Sequence, residues 1–323
     1  MSGFPRIIFF GTPDFAVASL ERLLAAGFQV VAVVTAPDKP AGRGLLEKIS
    51  PVKACALQHG IPVLQPLNLK DPRFHVQLRS LNPDLQIVIA FRMMPRQVWA
   101  LPPLGTFNLH ASLLPQYRGA APINHAIING ERETGVTTFF LNEHIDTGKI
   151  ILTEKVAIGP EETAGELHDR LMKTGAGVVL KTVEQIVSGN AGEILQESLI
   201  ADPASLKAAP RIFREDCRID WNRDVGTIHN FIRGLSPHPG AFTTLDIASG
   251  EKQILKIFRV VPEPMDPPCS PGEFLTDGKS FLNVGAKNGI IHLAELQLQG
   301  RKVMNTGDFL RGFGRIFHET RGI

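Results

Sequence analysis

At 323 residues, with 43% hydrophobic and 20% charged positions, the chain has room for about two globular domains and the composition of an ordinary soluble protein. A formal net charge of +2 makes no global case for a polyanionic partner, so any such case rests on local patches. Cys55, Cys217 and Cys269 are odd in number, far apart and without a CxxC pair, which argues against a disulfide framework or a zinc knuckle and fits a reducing cytosol.

The chain enters a strand-like run, RIIFF (6–10), almost at once, so no signal peptide is expected. No apolar stretch has the length of a membrane span. Further β-rich runs follow at QVVAVV (29–34), LQIVIA (85–90) and GTFNLH (105–110), and the stretches 13–25, 50–59 and 71–81 between them carry helical spacing. Such alternation reads as βαβ units building a mostly parallel open sheet. Thr12 is placed to cap the first helix, with Pro13 at its first position and Asp14 near its positive end. Two antiparallel-looking strands, VTTFFL (136–141) and KIILTEKVAI (149–158), are joined by NEHIDTG, and a Thr163-x-x-Glu166 capping box opens a helix to about Val187.

After Gly189 the periodicity weakens and small residues accumulate through 190–209, which reads as a linker. Beyond it come one helix (224–234), short β runs at 241–247, 253–261, 272–275, 281–284 and 289–298, and a helical piece near 305–313. Many short strands with turns between them predict a small barrel as a second domain.

Several motifs invite a chemistry that the rest of the chain does not support. GTPDF (11–15) stands where a dinucleotide fold carries GxGxxG, but only the first Gly is present and Pro13 removes an amide that a pyrophosphate needs. DTG (146–148) occurs once, whereas an aspartic protease shares one proton between two aspartates; a hairpin turn is the simpler account. There is no GxSxG or HExxH, and His110, His125 and His144 lack metal-ligand spacing, so no metal is expected.

FNLHASLLPQYRGAAP (107–122) is different. On a strand, residues i and i+2 project from one face, so Asn108 and His110 point together. The carboxyl end of a parallel strand is where open α/β sheets place ligands. Satisfied interior polar residues remain the alternative, but two polar groups on one face, followed by the Ser112–Pro115 turn and Arg118-Gly119, favour a site.

That stretch, with DTG some thirty residues later, closely resembles the folate-dependent formyltransferases, whose shared core is Asn-x-His plus a distant Asp. GTPDFA (11–16), PDKPAGRG (37–44), SPVK (50–53), RIDW (218–221) and IRGLSPHPGAF (232–242) extend the resemblance over nearly the whole chain, toward the methionyl-tRNA formyltransferase family. The resemblance implies a Rossmann-like catalytic domain, here 1–189, and an OB-fold-like tRNA-binding domain, here 210–323. It implies formyl transfer from 10-formyltetrahydrofolate to the amino group of initiator methionyl-tRNA, with Asn108, His110 and Asp146 catalytic. By motif, Ser112, Leu113, Leu114 and Pro115 line the tetrahydrofolate site, while Arg43 and Arg211 face tRNA. A cytoplasmic monomer is the expectation. The nearest rival is a formyltransferase or formyl hydrolase acting on a small amine or on the folate itself; a non-catalytic RNA-binding protein on an α/β scaffold is the other.

Three departures from the family pattern stand out. AFR (90–92) replaces an expected AYG, so Arg92 stands where a small residue is usual. LLEKI (45–49) replaces a lysine-rich run after PAGRG, which weakens the positive charge of that loop. Arg211 stands where a lysine is expected, keeping charge but not shape. From Arg301 to the end, five Lys or Arg residues face two acids, a candidate phosphate track on an OB-like barrel.

Overall fold

The computed structural model describes residues 5–41, 46–246, 252–314 and 316. In chain order its elements are β1 (Arg6–Gly11), α1 (Val17–Ala25), β2 (Gln29–Val34), β3 (Lys39–Ala41), β4 (Leu46–Lys48), α2 (Pro51–Gln58), β5 (Val63–Leu64), α3 (Pro72–Ser80), β6 (Leu85–Ile89), α4 (Arg96–Trp99), β7 (Thr106–His110) and β8 (Arg118–Gly119). There follow α5 (Pro122–Ile128), β9 (Glu133–Phe140), β10 (Ile150–Ala157), α6 (Ala164–Val187), β11 (Ala208–Ala209), α7 (Val225–Leu235), β12 (Ala241–Asp246), β13 (Lys252–Pro264), β14 (Phe274–Thr276), β15 (Leu282–Ala286), β16 (Gly289–Leu298), β17 (Met304–Asn305) and α8 (Thr306–Phe313). They form two compact units, Met1–Gly119 with Glu133–Ala157 and His168–Ala208, and Ala120–Arg132 with Ile158–Leu167 and Ala209–Ile323.

The first unit is built on a seven-stranded sheet ordered β10-β9-β7-β6-β1-β2-β5. The five strands β5, β2, β1, β6 and β7 run parallel, β9 runs antiparallel to β7, and β10 antiparallel to β9. A parallel sheet covered on both faces calls for unbroken apolar strands rather than alternation. LQIVI of β6 is buried at every position for that reason. Ile8, Phe10, Val34 and Val88 pack on Phe74 and Leu78 of α3 and Val98 of α4. At Gly175 of α6 a Cβ would lie 2.7 Å from the Leu109 side chain, so the glycine lets the helix sit directly on β7. The order of strands reverses between β1 and β6, so the crevice at this topological switch point opens at the carboxyl ends of β1 and β6, one strand from β7.

The helices begin where the sequence chemistry says, with one exception. Ser50 accepts the Lys53 N–H at 3.1 Å and Asp71 the Arg73 N–H at 2.9 Å, capping α2 and α3. Thr12 does not cap α1. Its hydroxyl accepts the Ala36 N–H at 3.4 Å, and Pro13 instead leads into a single 3-10 turn, Asp14–Ala16, before the α-helix. The stretch 190–208, expected as part of a linker, is bound closely into the first unit: Ile194 exchanges both backbone hydrogen bonds with Ile150 at 2.9 Å, and Gln196 is wholly buried.

The second unit carries the antiparallel sheet β12-β13-β16-β15-β14, with β17 on β16. This OB-fold-like β domain agrees with the short, turn-separated strands of the sequence. Its core joins Ile228, Ile232 and Leu235 of α7 to Leu255, Ile257, Val284, Ile291 and Leu293 of the sheet and to Phe309 and Leu310 of α8. The Thr163–Glu166 capping box is present, with the Glu166 carboxylate accepting from the Thr163 N–H at 2.8 Å and the Thr163 hydroxyl from the Glu166 N–H at 3.3 Å. The Thr163 backbone N–H foremost, then the Thr163 hydroxyl and the Arg259 guanidinium, donate to the Glu166 carboxyl and hold it below its usual pKa. Helix α5, which the sequence pattern does not announce because seven residues hold too few turns, ties to α7 through the Asn124 amide on the Gly234 carbonyl at 2.7 Å. Among the described residues no helix is long and apolar enough to cross a membrane.

Candidate active site

β7 pairs Asn108 with Val88 of β6 on one side and Phe139 of β9 on the other, and sets His110 opposite Thr137. Asn108 and His110 therefore lie on the same face at the strand's carboxyl end. His110 is buried, 6% exposed, while Asn108 is half-buried. Among the described residues the Asn108 side chain makes no hydrogen bond, so its amide N–H is available to a ligand.

His110 is oriented by a backbone group. Its Nε2 lies 2.8 Å from the Tyr117 carbonyl oxygen, which can only accept, so Nε2 carries the proton and Nδ1 is the atom that exchanges one. Nδ1 faces Asp146 Oδ2 at 3.9 Å, an ion-pair separation too long for a hydrogen bond. The Tyr117 carbonyl thus sets the ring's orientation, and Asp146 faces its other nitrogen.

Asp146 sits in the turn between β9 and β10 with φ 53°, and Tyr117 has φ 60°, both in the left-handed region. A non-glycine residue there costs on the order of 1–3 kcal/mol, so the surrounding bonds must over-determine each turn. The Asp146 carboxylate accepts the Gly119 N–H at 3.0 Å, which binds one strained turn to the other. Gly148 completes DTG because a Cβ there would fall 1.6 Å from the Phe140 carbonyl oxygen. The DTG turn is thus a hairpin with an unusual aspartate backbone, and it also brings that aspartate to the histidine.

The Ser112–Pro115 turn is held from beneath. The Thr137 hydroxyl donates to the Ser112 carbonyl at 2.7 Å and accepts the Leu114 N–H at 3.2 Å, and the Ser112 hydroxyl donates to the Gln116 carbonyl at 2.6 Å. Ser112 is wholly buried, and Leu114 packs on Phe139 and Ile150. Leu113 and Pro115 are the side chains of the four that remain partly exposed. Of the departures, Arg92 is exposed, donates to the Leu67 carbonyl at 3.0 Å and to that of Pro66, and lies 5.7 Å over the Phe91 ring, next to Ala90 with φ 47°.

Arg43, together with Arg315 and Arg321 of the basic C-terminal end, lies outside the described residues. Arg211 is exposed in the second unit with its guanidinium 5.4 Å over the Phe213 ring. Two site contributors escaped the sequence reading: the Tyr117 carbonyl and Thr137. A carbonyl has no sequence signal, and Thr137 looks like any strand threonine.

The family model for formyl transferase matches residues 5–183, and that for the formyl transferase C-terminal domain matches residues 211–314. The chain belongs to the formyl transferase family. It is 51% identical over 318 residues to a methionyl-tRNA formyltransferase of Parabacteroides distasonis, covering 98% of both chains. It is 53% identical over 309 residues to one of Azobacteroides pseudotrichonymphae, covering 95% of each. Among solved structures, the sugar 3N-formyl transferase WlaRD superposes with a TM-score of 0.63 at 21% identity over 93% of this chain and 100% of that one. HypX from Aquifex aeolicus, in complex with tetrahydrofolic acid, superposes with a TM-score of 0.61 at 20% identity over 96% of this chain, which spans about half (48%) of that protein. At such identities the two structures share the formyl transferase fold with this chain.

Proposed function

We propose that this formyl transferase moves the formyl group of 10-formyltetrahydrofolate to the free α-amino group of methionyl-tRNA, giving the N-formylmethionyl-tRNA used in translation initiation. The observation that carries this reading is end-to-end identity of about half with curated methionyl-tRNA formyltransferases, on a chain that keeps Asn108, His110 and Asp146 grouped around the end of β7.

The chemistry follows from the groups present. An α-amino group titrates near about 7.7–8.0, so a large share must lose its proton before it can attack. Attack of the amine nitrogen on the formyl carbon forms a C–N bond and places a negative charge on the formyl oxygen. The unpaired Asn108 amide is the donor suited to that oxyanion. His110 Nδ1, with Nε2–H fixed on the Tyr117 carbonyl, can take the proton that the attacking nitrogen sheds. The Asp146 carboxylate, 3.9 Å away, stabilises the charge the ring then carries. Collapse breaks the bond from the formyl carbon to the folate nitrogen, and the proton on Nδ1 passes to that leaving nitrogen. The ring ends as it began, no covalent enzyme intermediate forms, and no metal takes part in a step.

In the same proposal Ser112, Leu113, Leu114 and Pro115 border the tetrahydrofolate site, with backbone groups and the exposed flanks of Leu113 and Pro115 toward the ligand. Arg43 and Arg211 face the tRNA, the catalytic work belongs to 1–189, and 210–323 holds tRNA. A cytoplasmic monomer completes it. The test is to incubate the protein with Met-tRNA and 10-formyltetrahydrofolate. Formyl-methionine released from the tRNA is the expected product; formylation of a small amine, or free formate without tRNA product, would replace this reading by its rival.

A further inference from the structure

The stretch 190–209 has no motif, yet at its centre Gln196 is 0% exposed and makes four hydrogen bonds, the full capacity of a carboxamide. Its Nε2 donates to the Asp146 carbonyl at 3.0 Å and to the Gly148 carbonyl at 2.8 Å. Its Oε1 accepts from Arg118 Nε at 3.0 Å and Nη2 at 2.6 Å. The orientation of this amide is dictated by chemistry, since carbonyls only accept and a guanidinium only donates.

The two groups that Gln196 joins are the two strained turns of the site. On one side, Asp146 has φ 53° and its carboxylate faces His110 Nδ1. On the other, Arg118 lies between Tyr117, with φ 60° and a carbonyl on His110 Nε2, and Gly119, whose N–H holds the Asp146 carboxylate. Both the histidine's orientation and its distance from the aspartate therefore depend on how these turns are set against each other; beside the direct bond of the Asp146 carboxylate to the Gly119 N–H, Gln196 bonds to both turns from outside them. Neighbouring bonds hold the same strand of chain in place: the Tyr117 N–H donates to the Lys207 carbonyl at 2.6 Å, and the Lys207 N–H to the Gln116 side-chain oxygen at 2.8 Å.

We propose that Gln196 is a positioning residue for formyl transfer, cross-linking the 146–148 turn to the 117–119 turn so that Asp146 and His110 stand in reacting register. The proposal rests on the assignment of Asp146 and His110 to the reaction. Gln196 touches no reacting atom; it acts through Asp146. A misplacement of about 1 Å in a reacting constellation costs roughly 10²-fold in rate. Gln196→Leu, near in volume but without bonds, is expected to lower kcat by 10- to 100-fold while KM for both substrates stays within a few-fold. Gln196→Glu separates the two halves of the cross-link. It keeps an acceptor for Arg118 but has no donor for the two carbonyls, so it is expected to be as poor as Leu.

The experiment measures kcat, KM and the pH profile of kcat/KM for wild type, Gln196→Leu, Gln196→Glu, Asp146→Ala and the Gln196→Leu/Asp146→Ala double variant, each per folded molecule. The expected result is a kcat loss in both Gln196 variants with a displaced pH profile, and little further loss when Gln196→Leu is added to Asp146→Ala. Near-normal turnover of Gln196→Glu, or losses that multiply in the double variant, would overturn the positioning role while leaving formyl transfer intact. An inactive wild type, or an Asp146→Ala enzyme with full turnover, would instead remove the reading on which it rests.

Discussion

Among the described residues His110 and His229 are the buried histidines that face a carboxylate, and the two pairs are built to opposite ends. In the second unit His229 donates to Glu161 at 3.0 Å, and Arg233 donates to the Asn230 side chain at 2.9 Å and to the Gly159 and Glu162 carbonyls at 3.2 and 3.0 Å. Each of these groups is matched with an acceptor, and no non-glycine residue there has positive φ. At the end of β7, His110 and Asp146 stand 3.9 Å apart, the Asn108 amide is unpaired, and Tyr117 and Asp146 hold left-handed backbones. A polar cluster whose donors reach acceptors within the fold serves as scaffold. One that leaves an amide unpaired on a strand end, beside turns the fold must force, is the place where a ligand is to be sought.

The largest effects expected from this contrast lie in the β7 site. If His110 and Asp146 work as one unit, His110→Ala and Asp146→Ala should each lower kcat by roughly 10²–10⁴-fold, the range for general acid–base catalysis. The double variant should be little worse than the poorer single one. Losses that multiply would show that the two groups act independently and would erase the parallel with a coupled site.

A smaller effect is expected at the loop 37–49. A Lys or Arg contact to tRNA phosphate makes binding salt-dependent, with a slope of about −0.7 to −0.9 per phosphate neutralised. Arg43→Ala should weaken tRNA binding and reduce the slope by about one unit, and Glu47→Lys should tighten binding and steepen it. Identical slopes for wild type and both variants would take this loop off the phosphate backbone.

The scaffold cluster should respond in stability and not in catalysis. Arg233→Met removes the guanidinium from the part-buried Gly159 and Glu162 carbonyls, which costs on the order of 1–3 kcal/mol in all. Thermal unfolding should report the loss while kcat per folded molecule stays near wild type. His229 adds a pH signature. Burial lowers its pKa below the ordinary 6.5, outweighing the Glu161 carboxylate that raises it. The unfolded chain then binds more protons than the folded one as acid is added, so the contribution of His229 is full above about pH 6.5 and is lost as pH falls through the lowered value. Subtracting the Tm of His229→Gln from that of wild type should leave a difference that declines from pH 7 toward 5.5. A flat difference would mean that burial does not hold the ring neutral.

Much of this was legible in the sequence, and the misses share a cause. Unbroken apolar runs gave the parallel strands, since a strand buried on both faces admits few polar residues. Asn-x-His at the end of one such run gave the site, because paired polar groups on one strand face need a reason. What stayed hidden depends on the tertiary fold. Thr12 has the chemistry of a cap, but the close approach of Ala36 claims its hydroxyl. Helix α5 is too short to show a period. Gln196 carries no local signal at all, since its three partner residues lie 48 to 78 residues away along the chain. The Tyr117 carbonyl was invisible for a simpler reason: every residue has one.

In the proposed reaction the unpaired Asn108 amide holds the oxyanion of formyl transfer. Single-turnover formylation of Met-tRNA by Asn108→Ala, with folate affinity measured alongside, tests it most directly. Loss of one oxyanion donor is expected to slow the chemical step by about 10²–10³-fold, roughly 2.7–4 kcal/mol, with little change in folate binding. A chemical step as fast as wild type would contradict the account.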